Sequence, residues 1–402
     1  MSSTCNSEIA AGVPDEPQVN EAHLFAPLSL RDVRLRNRVV ISPMCQYVAE
    51  EGFACQWHDV HLGKFAQGGA ALVMTEATAV SRDGRITYGD LGIWSDEHTS
   101  GLSRICRFIE SQGAVAGIQL SHAGRKGSAQ RPWHGNGPLG TADVQQRGER
   151  PWQVFAPSAV PVHEQWHTPR ELTATDLETV AQQWEAAALR AARAGFRVVE
   201  LHCAHGYLLH QFLSPATNLR RDEYGGDLAG RMRYPLEIVE RVRAVWPAHL
   251  PLFVRISAVD GSDDTGWSLD DSVRFAAELS KRGVEVVDCS SGGLMRPAMS
   301  GPTLMAYPGY QVPYASRVRR EVGVRTIAVG LIQEPAQADE IVRSGDADLV
   351  AIGREALWNP NWPMRAAYEL GYDLFSEIAD SYSFHLSKRA AVLKSLEKKF
   401  SF

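Results

Sequence analysis

His202 and His205 lie three residues apart and Tyr207 follows at once, in the run His202-Cys-Ala-His205-Gly-Tyr207. Where a strand ends and the chain leaves the extended conformation, side chains at this spacing can face one point. Two imidazole donors converging there can hold a carbonyl or nitro oxygen and stabilise the charge that develops on it. The phenol beside them can deliver a proton to carbon, a general-acid role. A single histidine in an apolar strand is more often a satisfied core residue. A metal reading of His202, Cys203 and His205 fails on donor number, because zinc takes three or four ligands at set spacings and the other cysteines offer no second pair. His58-Asp59-Val-His61 is metal-like only superficially, lacks a partner set, and reads as structural or surface.

A second group of residues suits an anionic ligand. Arg255 closes the apolar run Pro251-Leu-Phe-Val-Arg255, and a buried guanidinium needs an acceptor or an anion. The bland alternative for it is a structural ion pair. Gly330 and Gly353-Arg354 follow two late apolar runs. Glycine lets backbone N–H groups approach a phosphate and arginine adds charge-assisted bonds. Ser290-Ser-Gly-Gly293 can contribute in the same way. One further motif is set aside: Gly135-Asn-Gly137-Pro-Leu-Gly140 matches G-x-G-x-x-G. No strand leads into it, Pro138 interrupts it and no helix is expected after it, so the dinucleotide fingerprint lacks its context.

The elements that must position these groups are parallel βα units. Eight short apolar runs read as strands: Arg38 to Pro43, Ala70 to Ala77, Ala114 to Leu120, Arg197 to Leu201, Pro251 to Ser257, Val284 to Cys289, Arg325 to Val329 and Ala347 to Ile352. They are continuous rather than alternating, as strands covered on both faces are. Helical patterns lie between them. Thr173 and Asp176 are capping candidates for Leu177 to Ala194 with Gly195 as its stop, Ser268 opens another helix, and Pro335 suits a first turn. Eight such units indicate an α/β fold, a (β/α)8 TIM barrel. Its reacting groups belong at the C-terminal strand ends, where polar and aromatic residues converge here and carboxylates are few. Leu24 to Leu35 reads as an N-terminal β-hairpin capping the barrel's N-terminal end. Residues 123–170, rich in Gly, Pro and Trp, read as a functional loop over the catalytic face. Residues 372–402 read as a C-terminal helical extension, with the helix from about Phe384 to Lys399, and 1–22 as a disordered tail ahead of a single barrel domain, 23–371.

Composition narrows the function classes. The 402 residues carry a formal net charge of −6, which leaves no footprint for nucleic acid or an anionic membrane. Six scattered cysteines without C-x-x-C spacing suggest no iron–sulfur site and no disulfide framework. The expected location is the cytoplasm, where thiols stay reduced. The first residues lack the pattern of a signal peptide, and no run of about 18 apolar residues is present to span a membrane.

The run Pro43-Met-Cys45-Gln-Tyr47, Gln119 to Lys126 (QLSHAGRK), His202 to Pro215 (HCAHGYLLHQFLSP) and Asn218 to Gly226 (NLRRDEYGG) together resemble the old yellow enzymes, more narrowly their thermophilic-like subgroup. The resemblance spans roughly 23–371, and the 202–226 block is its most specific part. It implies an FMN-dependent ene-reductase that takes hydride from NADPH or NADH and passes it to an activated alkene in a ping-pong cycle. Under it, His202 and His205 hold the substrate oxygen and Tyr207 is the proton donor. Ser42, Pro43, Met44, Cys45 and Ala77 line the isoalloxazine. Gln119 and Arg255 meet its pyrimidine edge, and Gly330, Gly353 and Arg354 hold the phosphate. Cys45 tunes the flavin, Tyr47 faces the substrate, and Lys126 lies near either. A small electrophilic alkene is the implied partner, with a homo-oligomer, dimer or tetramer, as the assembly. The subgroup's aromatic and arginine-bearing tail has no counterpart here: the chain ends in Phe384-His-Leu-Ser-Lys-Arg389 and a basic helix to Phe402. A dienoyl-CoA-reductase-like enzyme would need clustered cysteines and a second nucleotide domain. A metal-dependent barrel hydrolase would need ligands on several strands, and a flavin binder without turnover leaves the histidine pair unexplained.

Overall fold

Eight apolar runs close into one parallel barrel in the computed structural model, which describes residues 23–261, 266–294, 306–373 and 377–400, the side chains of 397–400 excepted. The expected tail, 1–22, and the terminal Phe402 lie outside the described residues. The hairpin strands are β1 (Leu28–Leu30) and β2 (Val33–Leu35), and the first barrel strands are β3 (Val39–Ile41), β4 (Leu72–Ala79) and β5 (Val115–Ser121). Two short strands, β6 (Phe155–Ala156) and β7 (Arg170–Glu171), pair with each other outside the barrel. The barrel resumes with β8 (Val198–Cys203), β9 (Leu252–Ser257), β10 (Val286–Ser290), β11 (Arg325–Val329) and β12 (Leu349–Ile352). The closed order is β10-β11-β12-β3-β4-β5-β8-β9.

Strand ends differ from the sequence reading for local reasons. β3 stops at Ile41 because Ser42 makes the last ladder bond, its N–H to the Ile352 carbonyl at 3.1 Å, and Pro43 has no N–H to give. β4 runs on to Ala79 through a register irregularity between Met74 and Ala77. β8 extends to Cys203, so His202 still lies in the ladder and only His205 stands beyond it.

Helix starts and stops follow the capping residues. In the helix Ala174–Ala194, the Asp176 N–H donates to Thr173 Oγ1 at 3.2 Å and the Thr173 N–H donates to Asp176 Oδ2 at 2.8 Å. Gly195 ends that helix at φ +100°, a left-handed conformation only glycine adopts cheaply. Trp184, Ala187, Ala188 and Ala191 are fully buried at helical spacing, which presses this helix onto the strands. The hairpin covers the barrel's N-terminal end as expected: Arg31 pairs with Glu285, just ahead of β10, and the Asp32 N–H donates to the His249 carbonyl at 3.1 Å. The C-terminal helix spans Asp380–Phe400. Among the described residues, no helix is long and apolar enough to cross a membrane.

Residues 123–170 carry more structure than their irregular sequence shows. A helix, Thr141–Arg147, follows Gly140, which corrects the expectation that none follows the glycine motif. No strand feeds that motif, and Gly135 sits at φ +126° in a turn, so the fingerprint still lacks the strand–turn–helix geometry that binds a dinucleotide. Ala129, Val162 and Trp166 of this loop pack in one cluster with Cys45, Tyr47 and Tyr207, which places the loop over the C-terminal strand ends. Replacing the cap in Thr173→Ala is expected to lower stability by about 1 kcal/mol, read as an earlier urea midpoint that Thr173→Ser restores.

Candidate active site

Strand register assembles most of the site. Ala77, Gln119 and Glu200 stand side by side across β4, β5 and β8. Two residues further on, His202, Arg255 and Asp288 form a second row across β8, β9 and β10. A step of two keeps the face of a strand, so His202 lies above Glu200 while Cys203 falls on the opposite side. Gln119 Nε2 donates to Glu200 Oε1 at 2.8 Å. Arg255 lies 3.3 Å from Asp288 Oδ2 and donates to Ser290 Oγ at 2.8 Å and Ser42 Oγ at 3.1 Å. The guanidinium therefore has the ion pair that was its bland alternative and two hydroxyl partners besides.

The carboxyls here correct the expectation that few lie at these strand ends. Glu76, Glu200 and Asp288 are all buried. Burial raises the Glu200 carboxyl to about 8, Asp288 adds to that, and Arg255 and Gln119 oppose it. Asp288 is raised too, by burial, with Arg255 pulling the other way. One guanidinium cannot offset two buried carboxylates. Glu200, whose partner is a neutral amide, is the acid that keeps its proton. A lone acid inside each apolar strand, in Val198-Val-Glu200-Leu and Val286-Val-Asp288-Cys, was the signal available in sequence.

The turn after β8 carries the catalytic candidates. His205 at φ +58° and Gly206 at φ +75° are both left-handed, and the chain then enters the helix Leu208–Leu213 with Tyr207 as its N-cap. Neighbours hold this turn closely. The His205 N–H donates to Ser257 Oγ at 2.9 Å and the Gly206 N–H to His210 Nδ1 at 2.8 Å. Lys126 Nζ donates to the His205 carbonyl at 2.8 Å and also to that of Gly293. Lys126 is thus brought to the site as a clamp on backbone, and burial, then Arg125, lowers its ammonium to about 7.

The three side chains meet as the spacing required. His205 Nδ1 is 3.3 Å from His202 Nε2, and the His202 and Tyr207 ring centroids are 5.0 Å apart. Burial first and Arg255 next hold both imidazoles well below their ordinary pKa, so the pair is neutral. His202 Nδ1 is buried with no partner. Burial drives the Tyr207 phenol well up, helped by Cys45 and Asp90, so it keeps its proton at neutral pH.

The loop after β3 forms the opposite wall. The Gln46 N–H donates to Glu76 Oε2 at 2.8 Å. Tyr47 stands at φ +55°, a strained position for a side chain, with its carbonyl held by Arg131 Nε at 3.0 Å. Burial, then Glu76, raises the Cys45 thiol well above its usual value. Gly353 abuts this loop: a Cβ there would sit 3.9 Å from the Met44 sulfur and from Ser42 Cβ. Gly330 holds φ +124°, where a Cβ would come within 2.9 Å of the Tyr310 ring. Arg354 is exposed and makes no hydrogen bond to these groups; its charge reaches the half-buried Tyr310 phenol, which burial raises and Arg354 and then Arg255 lower. Tyr310 and Ser257 were not identified from sequence, because nothing local marks them as facing the barrel mouth. His58, the metal-like candidate, is structural: its Nε2 lies 3.1 Å from Glu76 Oε1 inside the fold. Among the described residues, no three His, Cys, Asp or Glu side chains gather as a metal would need.

These residues suit FMN. Arg255 offers positive charge for the pyrimidine edge of the ring, Gly353 has no Cβ to crowd the loop bearing Ser42 and Met44, and the buried His202 Nδ1 has no protein partner. A (β/α)8 barrel with this mouth defines a flavin-dependent oxidoreductase. The chain belongs to the NADH:flavin oxidoreductase / NADH oxidase family, whose model matches residues 23–373. It is 44% identical over 360 residues to an NADPH dehydrogenase of Geobacillus sp. (strain WCH70), covering 89% of this chain and 97% of that one. Morphinone reductase in complex with tetrahydroNAD superposes with a TM-score of 0.70 at 26% identity, covering 87% of this chain and 91% of that one. A 2-naphthoyl-CoA reductase complex superposes with a TM-score of 0.77 at 21% identity; 86% of this chain matches 52% of that one, a likeness of fold alone. The old yellow enzyme resemblance holds: the chain is an oxidoreductase that binds FMN and draws on a reduced nicotinamide.

Two substitutions test this geometry. In Gly206→Ala the new methyl would collide with the Gly293 carbonyl and approach Lys126 Nζ to 2.9 Å. Turnover should drop on the order of 10²-fold through misplacement of Tyr207, with FMN still bound by absorbance. Glu200, raised in the folded state from 4.5 to about 8, costs stability as pH climbs through that interval, because the unfolded chain releases the proton first. Glu200→Gln removes that loss, so its melting temperature should decline less than the parent's between pH 5 and pH 8.

Proposed function

We propose that this enzyme reduces the activated C=C bond of α,β-unsaturated carbonyl or nitro compounds, with NADPH as the donor. The observation that carries the reading is the neutral His202–His205 pair beside the protonated Tyr207. Bound FMN supplies the hydride chemistry, accepting from the nicotinamide and donating to the alkene. In this reading Ser42, Pro43, Met44, Cys45 and Ala77 line the flavin ring, Gln119 and Arg255 meet its pyrimidine edge, and Gly330, Gly353 and Arg354 hold its phosphate. Tyr47 faces the substrate.

In this reading the bond between the two rings opens as substrate binds, and His202 and His205 each donate a hydrogen bond to the substrate oxygen. Held neutral by burial and Arg255, they polarise it without the desolvation cost of a buried imidazolium. Electron demand at that oxygen makes Cβ the site of hydride arrival, and Tyr207 protonates Cα. Arg255, beside Asp288 and one row beyond Glu200, presents its guanidinium to the flavin's pyrimidine edge. Donor and alkene use the same mouth in turn, a ping-pong order. The loop 123–170 packs on Cys45, Tyr47 and Tyr207, so its shape selects the alkene. A cytoplasmic location fits the five free cysteines of the described residues, and a homo-oligomer is the proposed assembly.

Anaerobic NADPH should bleach the flavin absorption of the purified protein, and cyclohexenone should restore it. Tyr207→Phe should leave the bleaching rate unchanged and slow the restoration by about 10²- to 10⁴-fold. Bleaching without restoration in the parent enzyme would remove the alkene from this reading, and a protein that cannot bind FMN would end it.

A further inference from the structure

Cys55 is an exposed thiol at the N-cap of the helix Gln56–Gln67, and its neighbours form a line of bonds outside the barrel mouth. Its sulfur lies 3.4 Å from His58 Nδ1, and that ring is almost wholly buried. His58 Nε2 lies 3.1 Å from Glu76 Oε1, and the other Glu76 oxygen accepts the Gln46 N–H. His58 Nδ1 also accepts the Cys55 N–H at 3.0 Å. That acceptance fixes the tautomer: the ring proton sits on Nε2, bonded to Glu76, and the single Nδ1 lone pair is shared between the Cys55 N–H and the thiol. A nucleophile, a base and a group that orients the base are thus in sequence.

The electrostatics agree with the geometry. Partial burial works against the Cys55 thiolate, but the N–H groups of Trp57 and His58 and the His58 ring outweigh it and lower the thiol. Burial works against charge on His58, and Glu76 and then Cys55 together outweigh it and raise the imidazole. The other four described cysteines, Cys45, Cys106, Cys203 and Cys289, are all pushed up by burial. Of the other titratable groups around this helix, Asp59 is held by Arg104 at 2.9 Å, Glu51 by Arg82 at 2.7 Å, and His61 is brought down to about 4 by burial, then Lys64 and His58.

We propose that Cys55 is a covalent acceptor for electrophilic alkenes, a modification site separate from the flavin site. His58 Nδ1 gives up the Cys55 N–H and takes the thiol proton, and the sulfur bonds to Cβ of the alkene. The π pair shifts toward the activating group, and His58 returns the proton to Cα. Thiol and alkene sum to a thioether, so no oxidant or reductant is consumed. Glu76 holds the imidazole in place and offsets its charge while the proton is in transit.

The test treats the FMN-bound enzyme, without NADPH, with substoichiometric N-ethylmaleimide between pH 5 and pH 9, and maps labelled peptides by mass spectrometry. Ordinary thiols ionise near about 8.5, so at pH 6.5 Cys55 should react at least about tenfold faster in the native enzyme than in the urea-unfolded chain. Its pH midpoint should lie below that of the unfolded chain. Cys55→Ser should abolish the fast labelling and leave NADPH–cyclohexenone turnover unchanged. His58→Gln, which can still bond Glu76 but cannot take a proton, should return labelling to the unfolded rate. If that variant fails to bind FMN, the native pH profile decides alone. Labelling of Cys55 no faster than in the unfolded chain, or with an ordinary thiol's midpoint, would overturn the assignment whatever becomes of the alkene-reductase reading.

Discussion

A guanidinium inside a barrel must be answered by acceptors, and the way Arg255 is answered organises the whole mouth. Asp288 supplies charge and Ser290 a hydroxyl from β10, Ser42 supplies a second hydroxyl from just beyond β3, and the ladder fixes Asp288 and Ser290 in register with β9. Because Asp288 is already there, a second buried carboxylate, Glu200, has no cation left and keeps its proton. Burial, with Arg255 close by, holds the His202 and His205 rings neutral. The acid–base state of the carboxyls and the histidine pair therefore follows from burial first and from one buried cation and its partners second.

The second constraint is mechanical. Catalytic groups at a strand end need a chain that turns sharply and then stays put, and the left-handed pair His205-Gly206 does the turning. Such conformations persist only where surroundings over-determine them. Ser257 and Lys126 supply that from elements distant in sequence, and His210 from the helix that follows the turn. Lys126 reaches the turn from the loop after β5, so the same segment that packs over Cys45, Tyr47 and Tyr207 also anchors the residue before Gly206. The packing of that loop and the position of Tyr207 are in this way parts of one structure.

Glu76 shows how closely the barrel mouth adjoins its flank. One oxygen holds the loop bearing Cys45 and Tyr47, and the other holds His58, beside an exposed thiol. A histidine that looked like a surface or structural residue in sequence is structural, and its burial is also what gives Cys55 a base of fixed orientation.

By itself the sequence determined the barrel, its eight strands and their caps. Apolar runs, capping residues and glycine stops act over a few residues, and those forces need no tertiary context. It also determined the histidine pair with Tyr207, since a turn motif keeps its own members together. What only the tertiary structure decided were the partnerships across strands: Arg255 with Asp288, Gln119 with Glu200, Lys126 with the carbonyl of His205, and Cys55 and His58 with Glu76. Those depend on ladder register and barrel closure, which bring together residues tens of positions apart. Burial then sets the protonation of each group, because the cost of a charge depends on everything packed around it.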